Sequence, residues 1–551
     1  MRWIQLTCLL LTFIISGTAW AENKRLVIGI SQYPGSLHPA YDSMMAKSYI
    51  LGMTRRPISV YDANWEDVCL LCTELPDFDK GTAKYVVTES GKEGIAVTYS
   101  LDPKAVWGDG TPITTRDVMF TWEVGANPES GIDNFEFYRR IEKIEVIDDK
   151  TFTLVMNRRS CDYQGIPGFT LLPSHVDRPY SDDPREYQNR TLYEKDPTNP
   201  ALWYGPYRVS NVQNGQSITL VRNERWWGKK PWFDEIEIRA IENTAALTAN
   251  LLSGDIDMIA GESGLTTDQA LAFERRHGDD FQFIYKQGLV YEHIDLMLEN
   301  PILADVRVRR ALLQGIDRDA ISQQLFAGKQ PVAHGSVNPL DSVYNPDAPR
   351  YDFDPEAASR LLEEAGWTLA SDGVRRNAEG EKLQLELMTT AGNKTRELVE
   401  QVLQSQWKKI GVDVRIRNEP ARVFFGETVS KRKFTGMAMF AWFSSPKHIP
   451  LTTLKSDQIP NEENNWAGQN YTGYAKPEMD QLIEDMDLKC EADQNQAAWD
   501  RMQELYATDL PVLPLYYRAN PYILPKDLKG LVPTGHQYPS TLWVENWHRA
   551  P

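Results

Sequence analysis

Along much of the chain, apolar residues recur at helical spacing, a glycine follows, and apolar and polar residues then alternate. The clearest unit lies between residues 396 and 416. An apolar stripe there predicts a helix, Gly411 is placed to end it in the left-handed conformation, and residues 412–416 alternate as a strand does. The stripe consists of Leu398, Val402, Leu403, Trp407 and Ile410. This order of elements predicts a mixed α/β fold.

Two further units have the same order. Thr244 is placed as the N-cap of a helix that Gly254 ends, and residues 255–259 then alternate as a strand. Another helix is predicted to begin at Asp354 and Pro355, because a capping aspartate followed by proline in the first helical position is a common helix start.

Residues 107–118 combine a glycine-containing turn with a helix start, in which Thr114 and Asp117 are spaced as a capping box. Residues 177–200 are polar and interrupted by prolines, which predicts an irregular surface loop.

The first residues have the features of a secretory signal peptide covering residues 1–21. Arg2 supplies a positive charge, residues 9–15 are apolar, and residues 19–21 (AWA) have the small-x-small pattern of a cleavage site. A membrane anchor needs about 20 mainly apolar residues, and the polar residues 16–18 end this stretch too early. A lipid anchor needs a cysteine at the cleavage point, where this chain has Glu22. We therefore expect a periplasmic protein without a lipid anchor.

Composition narrows the class of protein. A chain of 551 residues with 42% hydrophobic and 25% charged residues is long enough for about three to four compact units. The net charge of −18 argues against a nucleic-acid partner, because binding to phosphates needs clustered Lys and Arg.

Four cysteines remain after removal of the signal peptide: Cys69, Cys72, Cys161 and Cys490. In an oxidising compartment an even number predicts disulfides, and three connectivities are open. We favour Cys69 with Cys72 and Cys161 with Cys490. The alternative, a redox or metal site at Cys69 and Cys72, lacks a second CxxC and the helix–strand pattern of a thiol oxidoreductase.

The sequence contains no compact catalytic motif. The eight histidines never fall at H-x-x-x-H or H-x-H spacing, and the chain has no phosphate-binding glycine loop and no nucleophile elbow. We predict that the protein is not an enzyme and needs neither a metal nor a cofactor. With 77 acidic residues, a glycosidase-like carboxylate pair stays open, so a secreted hydrolase is the remote alternative.

A series of motifs resembles, in order, those of the periplasmic oligopeptide- and dipeptide-binding proteins of ABC importers, solute-binding protein family 5. Each motif is weak alone, and the ordered set is specific. They are residues 107–118 (WGDGTPITTRDV), 204–207 (YGPY), 222–227 (RNERWW), 251–257 (LLSGDID), 305–312 (DVRVRRAL), 316–318 (IDR), 365–367 (AGW) and 510–516 (LPVLPLY).

The resemblance implies two α/β lobes joined by a hinge, with an additional domain and a ligand cleft between the lobes. Its boundaries place the first lobe at residues 22–59, 201–289 and 511–551, the additional domain at 60–200, and the second lobe at 290–510. It also implies a monomer that captures a ligand and delivers it to the membrane permease of an ABC transporter.

In peptide-binding members of the family, a carboxylate shortly after a Gly-Trp or similar pair captures the amino group of the peptide. The corresponding residues 439–448 (MFAWFSSPKH) contain no Asp or Glu, and Lys447 has the opposite charge. Glu292, Glu462 and Glu463 are candidate replacements.

The resemblance also suggests which residues line the cleft. For most aromatic residues core packing is the alternative, while for Trp442 and Trp466 we favour ligand contact. The ligand-binding candidates are Met44, Met45, Tyr49, Tyr291, Glu292, Trp442, Ser444, Ser445 and Trp466. The predicted ligand is a peptide or peptide-like compound, and the alternative on the same scaffold is an oligosaccharide, an opine-like conjugate or a metal chelate.

Overall fold

The computed structural model describes residues 24–41, 44–132, 135–166, 168–420, 423–463, 468–490 and 492–550. The predicted signal peptide and Trp466 lie outside the described residues.

The strands are numbered along the chain. They are β1 (Arg25–Ile30), β2 (Ser59–Tyr61), β3 (Asp67–Cys69), β4 (Ala83–Val87), β5 (Glu93–Ser100), β6 (Ile141–Val146), β7 (Thr151–Met156), β8 (Tyr207–Gln213), β9 (Ser217–Arg222), β10 (Glu235–Ala240), β11 (Met258–Ile259), β12 (Gln282–Leu296), β13 (Thr368–Leu369), β14 (Arg375–Arg376), β15 (Gln384–Met388), β16 (Asp413–Ile416), β17 (Met437–Phe443), β18 (Val512–Leu524), β19 (Leu528–Lys529) and β20 (His548–Arg549).

The α-helices of the described residues are numbered in the same way. They are α1 (Met45–Thr54), α2 (Thr115–Gly125), α3 (Phe135–Arg139), α4 (Ser174–Asp177), α5 (Tyr187–Arg190), α6 (Leu192–Lys195), α7 (Thr244–Ser253), α8 (Thr267–His277), α9 (Val306–Gln314), α10 (Arg318–Phe326), α11 (Pro355–Glu364), α12 (Lys394–Lys409), α13 (Leu451–Leu454), α14 (Pro477–Leu488) and α15 (Ala492–Asp509). Short 3₁₀ turns lie at Pro128–Ser130, Arg178–Tyr180, Pro200–Leu202, Ser456–Gln458 and Ser540–Asn546, and a π-helical turn lies at Phe424–Val429.

One mixed sheet extends through both lobes. Its strand order in the described residues is β16-β15-β17-β12-β18-β11-β1-β10-β9-β8. The two long central strands pair with each other antiparallel from Gln282 with Leu524 to Asp295 with Val512, and the register shifts between Gln287 and Tyr291. Because β12 pairs with β17 only from Val290 onward, its two ends belong to different lobes. The fold is thus α/β and two-lobed, with β12 and β18 crossing between the lobes.

The apolar cores follow the lobes. One core contains buried side chains from residues 26–260 and again from 522–547, and includes the four-stranded antiparallel sheet β4-β5-β7-β6. A second core is built from residues 294–516. Residues 60–200 therefore share a continuous core with the first lobe, so we expect these two parts to move together.

Most local predictions are confirmed. Helix α11 begins after Asp354, which accepts the N–H of Ala357, and Pro355 stands in its first turn. The capping box of α2 is formed, with Asp117 accepting the N–H of Thr114 at 2.9 Å. Helix α12 ends before Gly411, which has a φ of +84°.

Three local predictions need correction. The N-cap of α7 is Asn243 rather than Thr244, because the Asn243 side chain accepts the N–H of Ala246. The strand predicted at 255–259 is reduced to Met258–Ile259, because the N–H groups of Asp255 and Ile256 bond to the Asn250 carbonyl of α7. In α12, Leu398 is 52% exposed and Val399 takes its place in the core.

The prediction of an irregular surface loop at 177–200 is wrong in part. This segment forms the short helices α5 and α6 around the fully buried Asp177. The Asp177 carboxylate accepts hydrogen bonds from the Tyr187 and Thr191 hydroxyls and from the N–H of Leu192. A polar sequence can thus be buried when its polar groups are satisfied locally.

The structure joins Cys69 with Cys72 and Cys161 with Cys490, which is the pairing favoured from the sequence. The first bond closes a tight turn. The second joins the segment after β7 to the segment after α14, and so links residues 60–200 to the second lobe. Within the described ranges, no helix is both long and apolar enough to cross a bilayer.

One buried acid in the second lobe predicts a pH-dependent stability. Glu400 on α12 is 1% exposed, and its one hydrogen-bonded oxygen accepts from Asn418 at 2.8 Å. Burial raises the pKa of Glu400 from 4.5 to about 7, and the neighbouring Glu397 adds to the rise. A raised pKa in the folded state means that stability falls as pH rises between the two values, because the folded protein holds the proton longer.

Glu400→Gln is therefore expected to stabilise the protein at pH 8 by about 1–3 kcal/mol and to leave it unchanged at pH 4. Glutamine keeps the acceptor for Asn418 and removes the charge. Urea unfolding at both pH values measures the difference. Glu397→Gln is the control, because Glu397 lies on the same helix but is less buried and pairs with Lys394, so its gain should be clearly smaller. An equal gain at both pH values for Glu400→Gln would contradict the explanation.

Candidate functional site: a cleft of two adjoining cavities

Two cavities adjoin at the cross-strand pair of Val290 and Phe443. We call them the large cavity, of about 770 Å³, and the aromatic cavity, of about 260 Å³. Phe443 lines both and is 46% exposed, so it presents an apolar surface between them. The large cavity is lined mainly by the first lobe and the additional region, and the aromatic cavity by the second lobe. Together they form a cleft where the lobes meet.

The wall of the aromatic cavity is formed by side chains that lie on one face of two paired strands, because side chains alternate between the faces of a strand. Tyr291 and His293 project from the same face of β12, and their partners across the ladder are Trp442 and Phe440 of β17. The rings of Tyr291 and His293 are stacked, with centroids 5.1 Å apart. The ring of Trp442 is stacked with those of His293, at 6.3 Å, and of Tyr471, at 5.9 Å. This layered wall presents flat apolar faces to a ligand.

Polar groups stand beside this wall. Both nitrogens of His293 face oxygens, Nδ1 the carbonyl of Tyr291 at 3.1 Å and Nε2 the carboxylate of Asp295 at 3.2 Å. Asp341 lines the same cavity and accepts the N–H of Lys447 at 2.8 Å. Burial raises the pKa of Asp341, and the hydrogen bonds from backbone N–H groups oppose the rise.

The large cavity combines flexible apolar side chains with charged ones. Met44 and Met45 at the start of α1 line it, together with Lys47, Arg55 and Glu262. Methionine side chains adapt to ligands of different shape. Burial lowers the pKa of Arg55 and raises that of Glu262. Burial of these groups indicates that charged ligand atoms would interact strongly with them.

The structure brings six of the predicted site residues to the cleft. Met44 and Met45 line the large cavity, whereas Tyr291, Trp442, Ser444 and Ser445 line the aromatic cavity.

The other candidates that the structure describes lie outside the two cavities. Tyr49 is fully buried in α1, where its carbonyl accepts the Thr541 hydroxyl, and so it packs inside the first lobe. Glu462 and Glu463 are exposed on a loop.

Glu292 is also turned away from the cleft. It follows Tyr291 on β12 and therefore points to the opposite face of the sheet. There it is fully buried between Arg396, whose Nε lies 2.6 Å from Oε1, and Arg518. Burial alone would raise the pKa of Glu292, but Arg518 and Arg396 hold it below the ordinary value. A carboxylate already shared by two guanidinium groups does not serve as an ammonium anchor.

The sequence analysis missed several residues of the cleft, namely Arg55, Glu262, His293, Asp295 and Asp341. Alternation from Tyr291 along β12 points to His293 and Asp295. Asp341 lies in a segment without periodic pattern, so no local signal marks it. Among the described residues no group of three or more His, Cys, Asp or Glu side chains is arranged to hold a metal ion.

A family model described as bacterial extracellular solute-binding proteins, family 5 Middle, matches residues 82–456. The chain belongs to this family. Members are substrate-binding components of transporters and act outside the cytoplasm. The oligopeptide-binding protein AppA of Bacillus subtilis is 26% identical over 463 residues, which cover 82% of this chain and 81% of AppA.

Solved structures agree with this family 5 assignment. An oligopeptide-binding protein of Thermus thermophilus in complex with a pentapeptide is 29% identical, with a TM-score of 0.69, and the match covers 95% of this chain and 96% of that protein. NikA of Brucella suis in complex with Fe(III)-EDTA is 17% identical, with a TM-score of 0.78 over 96% of this chain and 100% of NikA. The second similarity shows the fold alone.

Proposed function

We propose that this family 5 protein captures short peptides in the cleft between its lobes and delivers them to the membrane permease of an ABC importer. The observation that carries the proposal is the cleft of two adjoining cavities. The large cavity falls within the range of about 300–1,000 Å³ that is usual for ligand sites, and both cavities combine apolar walls with few charged groups. The relatives from Bacillus subtilis and Thermus thermophilus, both named as oligopeptide-binding proteins, support this ligand class.

Lobe closure explains how binding is signalled. A ligand that contacts both lobes binds the closed state more tightly than the open state and so shifts the population toward closure. In this chain the lobes are connected by β12 and β18, whose pairing is irregular between Gln287 and Tyr291. The irregular register gives the two strands a place to bend.

The proposal includes several expectations from the sequence. The mature protein would be a periplasmic monomer without a lipid anchor, formed by removal of residues 1–21, and would bind no nucleic acid. It would act as a binding protein rather than an enzyme, and its lobes would follow the boundaries given above. The match to a family of solute-binding proteins supports binding rather than hydrolysis.

One observation favours a second candidate ligand, a metal chelate. His293 and His448 both line the aromatic cavity, and imidazole is a common metal ligand. A chelate brings most of its own ligands, so it needs few from the protein.

Thermal unfolding with added ligands tests the proposal. Mature protein is refolded from denaturant to remove co-purified compounds, and is then heated with pentapeptides, a nickel–histidine chelate or oligosaccharides. Ligand at 100 times its dissociation constant stabilises the folded state by about 2.7 kcal/mol, so peptides should raise the melting temperature. A shift with the chelate or a glycan and none with peptides would contradict the peptide proposal. Cleavage of the bound peptide would contradict a pure binding role.

Trp442→Ala is expected to weaken peptide binding by about 30-fold or more, because Trp442 forms the centre of the aromatic wall. The ligand-free protein should stay folded, since Trp442 is only partly buried. Calorimetric titration and ligand-free urea unfolding give the two quantities.

Trp407→Ala is the matched control. Trp407 is fully buried in the second core and donates to the Leu312 carbonyl at 2.8 Å, so its loss should destabilise the ligand-free protein by about 3–5 kcal/mol. A similar loss of stability for Trp442→Ala would show that Trp442 belongs to the core.

A further inference from the structure

Asp341 is a buried carboxylate that forms no ion pair with a described residue, although the charge of Lys447 acts on it from farther away. It is 7% exposed and lines the aromatic cavity. Its oxygens accept the backbone N–H groups of Lys447, at 2.8 Å, and of Val343, at 3.4 Å. Within the described part of the chain, no Lys, Arg or His nitrogen forms an ion pair with it. A buried ionised carboxylate is costly unless a positive group accompanies it.

The other carboxylate of this cavity already has a basic side chain beside it. Asp295 lies 3.2 Å from His293 Nε2 and is 3% exposed. Asp341 is therefore the carboxylate that has capacity left for a positive ligand group.

A complementary group lies on the far side of Phe443. Arg55 lines the large cavity and donates to the Thr170 hydroxyl. Among the described residues, no carboxylate lies within 4 Å of its guanidinium group. Lys47 lines the same cavity, but its ammonium group already donates to the carbonyls of His38 and Tyr41. Asp341 in the aromatic cavity and Arg55 in the large cavity are thus groups of opposite charge that form no ion pair with any described residue.

We propose that the cleft holds its peptide in one direction, with the ligand ammonium group on Asp341 and the ligand carboxylate on Arg55. This inference rests on the proposed function and adds the residues that bind the amino end and the carboxyl end of the peptide. It also explains why residues 439–448 need no acid of their own, because Asp341 reaches this loop from a separate segment through its hydrogen bond to Lys447.

A purely structural role for Asp341 makes a different prediction. Lys447 has a φ of +54°, a left-handed conformation that a non-glycine residue adopts only with support, and Asp341 supplies one such support. Asp341→Asn separates the two roles, since the amide oxygen can still accept the Lys447 N–H while the charge is removed.

The experiment uses refolded mature protein and a mixture of pentapeptides containing alanine and phenylalanine at every position. The mixture is made in four forms: both ends free, amino end acetylated, carboxyl end amidated, and both ends blocked. Apparent affinities come from thermal shifts as the peptide concentration is varied. The wild-type protein should lose on the order of 30-fold or more in affinity on acetylation and on the order of 10-fold on amidation.

The variants then assign each end. Asp341→Asn should bind the free and acetylated forms with equal, weak affinity and still discriminate against amidation. Arg55→Gln should lose the discrimination against amidation and keep that against acetylation. Glu478→Gln is the control that should keep both affinity ratios, because Glu478 pairs with Arg501 and lines neither cavity. Glu262→Gln tests the alternative anchor, because Glu262 lines the large cavity and accepts the Ser540 N–H.

Four outcomes would overturn the inference. If the wild-type protein binds free and acetylated peptides with equal affinity, no carboxylate binds the ammonium group, although the protein still binds peptides. Equal weakening of free and acetylated forms by Asp341→Asn would show a loop-supporting role. If Glu262→Gln binds free and acetylated peptides equally well, Glu262 rather than Asp341 binds the ammonium group. No shift with any form would instead reject the proposed function itself.

Discussion

Glu292→Gln is expected to lower the free energy of unfolding by about 3–5 kcal/mol at pH 7, because it leaves the buried Arg396 and the partly exposed Arg518 without their shared carboxylate. Glu292 is fully buried, and the Arg396 side chain is 8% exposed. Breaking such a group is costly even where the intact ion pair contributes little net stability, since the remaining charge is neither solvated nor paired.

The position of this group adds to the expected effect. Glu292 lies on β12, Arg518 on β18 and Arg396 on α12, so the three side chains join both lobe-crossing strands to the second lobe. Arg396 also donates to the Thr390 hydroxyl at 3.2 Å. We therefore expect the variant to loosen the end of the hinge that lies in the second lobe, visible as faster amide exchange in β12 and β18.

Urea unfolding of the ligand-free protein measures the loss. The pKa of Glu292 is below its ordinary value, so its stabilisation is present above the unfolded-state pKa and disappears as pH falls through the folded-state pKa. The difference between wild type and variant should accordingly shrink in acid. Glu478→Gln is the control, because Glu478 pairs with Arg501 at 2.7 Å on the surface and should change stability by less than about 1 kcal/mol. Equal effects of the two variants would contradict the role assigned to Glu292.

Replacing both Cys161 and Cys490 by serine is expected to lower the free energy of unfolding by about 3–5 kcal/mol. The bond closes a loop with a sequence separation of 329, and constraint of the unfolded chain grows with loop length. It also joins the additional region to the second lobe at a point outside β12 and β18. Its loss should therefore remove a restraint on separation of the lobes as well as destabilise the fold.

Calorimetry of two double serine variants, one for each disulfide, separates the effect of loop length from the effect of replacing cysteine. Replacing Cys69 and Cys72, whose separation is 3, should cost about 2 kcal/mol or less. Small-angle X-ray scattering of the ligand-free protein should show a wider molecule only for the Cys161 and Cys490 variant. Arg158 pairs with Asp487 beside this bond and would remain in both variants. Equal destabilisation, or equal dimensions, would contradict the view that the long-range bond restrains the lobes.

The sequence predicted the local elements well where one short pattern is sufficient. The capping box at Thr114 and Asp117 and the helix start at Asp354 depend on contacts within a few residues, and both are formed. The strand predicted at 255–259 is shorter than expected because the N–H groups of Asp255 and Ile256 bond to the Asn250 carbonyl at the end of α7, which the alternating pattern does not indicate. The buried segment at 177–200 failed because hydroxyl partners made a polar sequence compatible with burial.

For the site, the ordered set of motifs led to Trp442 and its neighbours, which line the aromatic cavity, whereas the candidate carboxylate Glu292 lies on the opposite face of the sheet. Adjacent strand residues face opposite sides of a sheet, so Tyr291 and Glu292 had to separate, and which of the two faced the ligand depended on packing against α12 and β18. The sequence by itself determined the α/β class, the family and the aromatic side chains of the cleft, because these depend on local pattern and composition. Only the tertiary structure brought Asp341 to Lys447 and placed Arg55 where no described residue offers it a carboxylate. Both facts concern groups far apart in the chain, and the charge environment of a buried group is set by everything that surrounds it.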